Sequence, residues 1–421
     1  MNRTITALFV LPLIFIGSGC HKEMALQEPV GPDYTRKLAP GQSALRLITD
    51  PNRMPDLGAA YRDRVTFQLQ DSIDQSLSWF AKESSKQYFP FESITHDQAR
   101  ASLVAFSQLL QSSDNEAAFV ANLKREFNVY ESVGYNGEGV VLFTGYYSPI
   151  FNAGRTRTDK YQYPLYKRPA DLASDPKTGQ PLGRKLPNGN TVPYYARREI
   201  EQTNMFKGNE LVWLEDALSA FIIQVNGSAK LHMDDGKIMY VGYAGKTDRP
   251  YVGLGQSMLD SGMIKPNELS LKAIRAKFRE NPQQVIELMN RNECYVFFTE
   301  YPGDKWPAGS LGVKVTEETT LATDKKIYPR GGMVMVDTQA ISFDMGKKHF
   351  QRYMLDQDTG GAIQAPGRAD IFMGIGPSAE ILAGGQYAEG RLYYFFLKPE
   401  LVDQYLPKQQ AARPAKKTIK N

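Results

Sequence analysis

The sequence predicts a mainly β protein that opens with a block of helices, and three observations carry that prediction. Apolar residues first recur every three or four positions, as Val65, Leu69, Ile73, Leu77 and Phe80 do, which is one face of an amphipathic helix. From Gly139 onward the chain changes to short β-branched and aromatic runs closed by Gly and Pro, the signature of strands joined by turns. Finally, 421 residues with 42% hydrophobic and 23% charged side chains suit a globular chain of about two to three domains.

Residues 1–20 read as a secretory signal. Arg3 precedes an apolar run from Ala7 to Ile16, and Gly17-Ser18-Gly19 then leads to Cys20. The run is too short to span a bilayer. A cysteine directly after small residues resembles a bacterial lipoprotein signal, in which Cys20 becomes the lipidated first residue of the mature chain. His21 follows it, which favours the outer membrane. With Cys20 acylated, Cys294 has no partner for a disulfide within the chain and reads as a small buried hydrophobe. Residues 21–60, rich in Pro, Gly and polar side chains, read as a tether.

Helices follow. Thr95 with Gln98 forms a capping box ahead of Leu103, Phe106 and Leu110; Ser113 with Glu116 forms another ahead of Phe119, Leu123 and Phe127. Residues 140–149 are a strand ending at Pro149, and residues 150–210, dense in Pro, Gly, Tyr and Arg, make a separate small β domain. Exposed aromatic faces there suit the C–H face of a sugar as well as they suit an ordinary β core. Residues 221–228 read as a strand into a turn and 240–247 as another strand. Asn267 caps a helix bearing Leu271, Ile274 and Phe278, and Asn281-Pro282 opens the next one. Strands resume at Tyr295 and alternate with turns to about residue 398. Residues 399–421 form a basic tail, in which Lys408, Arg413, Lys416, Lys417 and Lys420 stand without an acid between 408 and 421.

Several chemistries are set aside. Fifty basic against forty-six acidic residues leave a net charge of +4, too balanced to imply nucleic acid. Gly245-Lys246-Thr247 matches the end of a phosphate-binding loop, but Tyr240 stands where its first glycine is required. His21, His96, His232 and His349 are scattered, so neither a metal site nor a cofactor is expected. Asp234-Asp235-Gly236 is a hairpin turn without the later ligands of a calcium loop. What remains for catalysis is carboxylates.

Two stand out. Asp358 opens a Thr-Gly-Gly turn, and Asp370 lies in the β-prone run Ala-Asp-Ile-Phe-Met, where alternation places Asp370 and Phe372 on one face. A carboxyl group held beside an aromatic ring in a partly desolvated groove can donate a proton near neutral pH. The same two residues serve equally well as turn caps bonding backbone amides.

Two blocks of sequence resemble a known family. The first is Phe143-Thr144-Gly145-Tyr146-Tyr147-Ser148-Pro149 with Gln162-Tyr163-Pro164-Leu165-Tyr166. The second holds Asp324 in ATDKKIYPRG at 322–331, Asp358 in DTGGAI at 358–363 and Asp370 in RADIF at 368–372. With VNGSAKL at 225–231 and GYAGK at 242–246, the chain is similar to the membrane-bound lytic murein transglycosylase A family with its C-terminal 3D domain. The resemblance implies a double-psi β-barrel domain (61–150 and 293–398) carrying a second, smaller β-barrel inserted at 151–292, with a groove between them.

It also implies cleavage of the β-1,4 bond between N-acetylmuramic acid and N-acetylglucosamine, closing a 1,6-anhydro ring. Asp370 is then the acid and base, Asp358 orients it and holds the turn, and Asp324 fixes the barrel. Thr144, Gln224, Asn226, Gly227 and Ser228 are the implied substrate contacts. The implied partners are peptidoglycan glycan strands, the membrane through Cys20, and complexes of cell-wall synthesis or degradation. A muramidase that admits water and a non-catalytic, expansin-like wall-binding protein are the rival readings.

Overall fold

A computed structural model describes residues 31–62, 66–176, 179–342 and 346–406. The signal at 1–20 with Cys20, Val65 of the first predicted helix and the tail from 407 lie outside the described residues.

The three predicted helices form at Thr66–Phe80, His96–Ser112 and Glu116–Glu126. Thr95 caps the second by accepting from the Gln98 amide at 3.0 Å. The Gln98 side chain does not return to close a capping box; it donates to Leu397 O at 2.8 Å and so pins the helix to the last barrel strand. Asn115, not Ser113, caps the third helix, its Oδ1 accepting from the Ala118 amide at 3.0 Å. Ser113 instead ends the helix before, giving its amide to Leu109 O. Phe106 and Phe119 then pack edge-on to Tyr353, at 5.0 and 5.9 Å between ring centroids, which seats the helices on the barrel.

The described part of the expected tether is folded. Leu45–Leu47 pairs antiparallel with Phe127–Ser132, Leu57 is buried, and Tyr34 donates to Glu389 at 2.7 Å. Pro and Gly mark turns here, and a few apolar side chains suffice to dock the segment.

Among the described residues, six strands close the larger barrel. Going round, Tyr387–Leu397 pairs with Met333–Ser342, then come Gly346–Asp358, Thr320–Ala322, Arg368–Ile375 and Val141–Ser148, which pairs back onto Tyr387–Leu397. Two of the pairings are parallel, Thr320–Ala322 with Gly346–Asp358 and Arg368–Ile375 with Val141–Ser148. The mixed pairing is that of the double-psi barrel, and closure leaves no edge open.

At Pro149 the chain leaves this barrel. Ile150–Gly154 already belongs to a second sheet, ordered Val296–Tyr301, Ile238–Lys246, Ser228–Met233, Ile150–Gly154, Glu210–Leu214, Tyr163–Tyr166. A bridge between Lys167 and Phe298 closes it into the smaller barrel. Its last strand, Val296–Tyr301, lies past the expected boundary at 292, so the excursion runs from 150 to 301.

Two local expectations inside it are corrected. Residues 221–226 are not a strand but the end of the helix Ala217–Asn226, capped by Asp216, whose Oδ1 accepts from the Ser219 amide at 2.7 Å. Gly227, at φ +74°, ends the helix in the left-handed region, and the strand begins only at Ser228. A short apolar run buried on most faces has no period to betray it. Ser270, not Asn267, caps Leu271–Glu280, while Asn281 caps Pro282–Met289 as predicted.

Candidate active site

The two acids singled out by sequence meet at one level of the larger barrel. Asp370 lies opposite Ala322 on one side, and Asp358 lies opposite Ala322 on the other. Two strand spacings put their backbones roughly 10 Å apart.

Asp370 is further registered against Thr144 in the parallel pair, and the Thr144 hydroxyl donates to its Oδ1. Arg368, two residues back on the same strand face, donates Nη2 to Thr144 Oγ1 at 3.0 Å and stands 3.9 Å from Asp370 Oδ1. The Asp370 side chain retains 18% of its exposure, so it is recessed yet reachable. Burial pushes its pKa up to about 6, with Arg368 pulling the other way and Asp358 adding a smaller push.

Asp358 is committed. Its Oδ1 accepts from the amides of Ser310 and Thr359, both at 2.8 Å, and its Oδ2 from the Tyr146 hydroxyl at 2.9 Å. Burial raises its pKa against the pull of those bonds. It holds the turn, and it reaches Asp370 by charge rather than by a hydrogen bond. Tyr146 lies two positions after Thr144 on the same strand face, with its ring 5.1 Å from Phe372. Between them Gly145 has no room for a side chain: a Cβ would sit 2.8 Å from Ala383 Cα, so the helix Gly376–Gly385 packs directly on this strand.

Beneath the site Asp356 forms a buried ion pair with Lys325 and accepts from Thr323 at 2.8 Å and Tyr394 at 2.7 Å. Asp324 accepts from the amides of Lys326 (3.0 Å) and Ala365 (3.1 Å). The second bond holds Ala365 at φ +69°, in the loop that delivers Arg368 and Asp370.

From the inserted barrel, Lys246 and Tyr251 close on the Thr-Gly-Gly turn. A Cβ on Gly361 would lie 3.7 Å from Lys246 Nζ and 4.0 Å from Tyr251 Cγ. Burial raises the Tyr251 hydroxyl's pKa, and Asp370 is among the charges adding to it.

The remaining predicted contacts divide. Ser228 bonds Ser148 at 2.9 Å, hydroxyl to hydroxyl, where the chain crosses between barrels. Gln224 is buried and accepts from Arg197 at 2.8 Å; Asn226 donates back to Ile222 O at 2.9 Å. Gln224 is thus tied to Arg197 within the inserted unit and Asn226 to its own helix, while Gly227 serves as the helix terminus. Sequence reasoning missed Arg368, Tyr146 and Lys325. Strand alternation points from Thr144 to Tyr146 and from Asp370 to Arg368; nothing local marks Lys325.

Cys294 is buried, and burial raises its thiol's pKa. Among the described residues no cluster of His, Cys, Asp and Glu is placed to hold a metal, and no helix is long and apolar enough to cross a membrane.

Two family models match the chain, the MltA specific insert domain over residues 142–299 and the 3D domain over 319–396. The first takes in most of the strand Val141–Ser148 and nearly all of the excursion into the smaller barrel. The chain is 30% identical over 266 residues to membrane-bound lytic murein transglycosylase A of Vibrio cholerae, covering 62% of this chain and 66% of that one. It is 30% identical over 283 residues to the Escherichia coli K12 protein of the same name, covering 65% and 71%. Among solved structures, the membrane-bound lytic murein transglycosylase of Agrobacterium tumefaciens aligns with a TM-score of 0.69 at 24% identity, over 86% of this chain and 99% of that one. E. coli MltA with bound chitohexaose aligns at 0.62 and 23%, over 89% and 98%. The paired barrels, the acids brought together at Ala322 and these matches agree: the chain belongs to the membrane-bound lytic murein transglycosylase A family.

Proposed function

We propose that this chain is a peptidoglycan lytic transglycosylase that cuts the β-1,4 bond between N-acetylmuramic acid and N-acetylglucosamine and leaves a 1,6-anhydromuramoyl end. The observation that carries the reading is the asymmetry of the two acids. Asp358 is held by three hydrogen bonds, whereas Asp370, partly exposed with its pKa near 6, is free to exchange a proton. A carboxyl group whose pKa is drawn toward neutrality suits one group acting as acid and then as base.

Asp370 gives its proton to the glycosidic oxygen as the C1–O bond breaks. The muramoyl C6 hydroxyl then closes on C1, and its proton returns to the Asp370 carboxylate. Neither a second carboxylate nor a water is consumed, in contrast to inverting and retaining hydrolases. Intramolecular attack supplies an effective molarity on the order of 10⁵ M or more. A bound chitohexaose in the E. coli relative supports a β-1,4-linked glycan as the ligand class. A lipid on Cys20 would place the enzyme on the outer membrane, facing the periplasm and its wall, where complexes of cell-wall synthesis or degradation are candidate partners.

The test is mass spectrometry of muropeptides released from purified peptidoglycan by the chain starting after Cys20. Products lighter than hydrolytic ones by one water, and resistant to borohydride, are expected. Reducible products would mean a muramidase; glycan binding without products would mean a wall-binding protein.

A further inference from the structure

Arg368 takes no direct part in the proton transfers above, yet it is built into the site. It shares a strand face with Asp370, its Nη2 donates to Thr144 Oγ1 at 3.0 Å, and its Nε is buried with no protein partner among the described residues. A hydroxyl has one proton to give. Because Arg368 can only donate, Thr144 must accept from it, and the threonine's own proton is turned to Asp370 Oδ1.

We propose that Arg368 is a positioning residue for this reaction: through Thr144 it occupies Asp370 Oδ1, so that the proton delivered to the glycan rides on Oδ2. This rests on the transglycosylase reading and deepens it. Thr144 is then a part of the acid's cradle rather than a sugar contact. The arrangement follows from strand geometry, since Arg368 and Asp370 alternate onto one face while the parallel register brings Thr144 alongside. The other titratable groups facing Asp370 are Tyr146 from the neighbouring strand, Asp358 from the end of Gly346–Asp358, and Tyr251 from the inserted unit. Thr320–Ala322, the strand on its other side, carries none. Arg368 is therefore the cation in this set, and the Arg368–Thr144 pair the part that favours release of the proton.

The experiment is the pH dependence of anhydromuropeptide release from soluble glycan strands by wild type, Arg368→Met, Arg368→Lys and Thr144→Val. Removing a cation or a donor beside a carboxylate raises its pKa by about one unit or more. The basic limb of the profile is thus expected to move up by about one pH unit in Arg368→Met and in Thr144→Val, with a rate loss of about tenfold, and to stay near wild type in Arg368→Lys. Thr144→Val preserves side-chain shape, so it reads the same linkage if Arg368→Met does not fold. Slower turnover with an unmoved limb in the folded variants would overturn the proposal. A limb that moves while the products are reducible would uphold the Arg368–Thr144–Asp370 linkage and overturn the transglycosylase reading instead.

Discussion

Asp356 and Asp370 are both aspartates on the larger barrel, each with a cation and a threonine close by, and they have opposite fates. Asp356 is fully buried; Lys325 balances its charge, and Thr323 and Tyr394 occupy its second oxygen. Asp370 keeps part of its surface, has one hydroxyl donor, and sees its cation only at 3.9 Å. A buried carboxylate paired with a cation and bonded on both oxygens is tied into the scaffold, and breaking the pair is costly. One that is desolvated but only half satisfied has its pKa drawn toward neutrality, the property wanted in the proposed proton donor.

The comparison breaks most visibly at Asp370. Asp370→Asn is expected to lower the release of muropeptides by about a thousandfold, the middle of the range for losing a general acid, while a pull-down on purified peptidoglycan still retains the protein. Next comes Lys325→Met, which leaves Asp356 charged and unpaired. A loss of about 3 kcal/mol is expected, read as a lower midpoint in urea, with the wall-cutting activity of the remaining folded protein little changed.

The smallest effect has the opposite sign. Asp370 has its folded pKa raised to about 6, against an ordinary value near 3.9 in the unfolded chain. Between these values the native state holds the proton more tightly, so stability falls as pH rises from about 4 to about 6 and stays low above. Asp370→Asn removes that penalty and should stabilise the protein at pH 7 by on the order of 2 kcal/mol. The gain should vanish below about pH 4, and a stability difference that is flat across pH would mean that burial does not raise the pKa of Asp370.

The acids were legible in the sequence because each sits in a local pattern, Asp358 at a glycine turn and Asp370 on an alternating run. Thr144 and Tyr146 were visible as part of a motif, but not their partners, since Thr144 meets Asp370 across 226 positions. Arg368 and Lys325 look like any surface cation until the barrel closes over them. The helix Ala217–Asn226 reads as a strand because burial on several faces erases the period that distinguishes the two, and Ser113 competes with Asn115 as a cap because the two capping residues stand two positions apart. For the helix and the cations a neighbour brought by tertiary structure decides the outcome; for the cap, local geometry three residues away does.

The strand Val141–Ser148 leads into an excursion of the chain that returns only after residue 301, and its barrel partners are Arg368–Ile375 and Tyr387–Leu397. Contacts this distant in sequence are made late, because loop closure must come first. The smaller barrel can shorten that loop by folding within it, but the larger one cannot close until the last strand has been made. A chain ending before residue 387 therefore lacks one wall of the barrel beside Val141–Ser148, the strand that carries Thr144. The barrel that carries Asp370 is thus assembled from both sides of the excursion, and loss of its last strand opens it along Val141–Ser148.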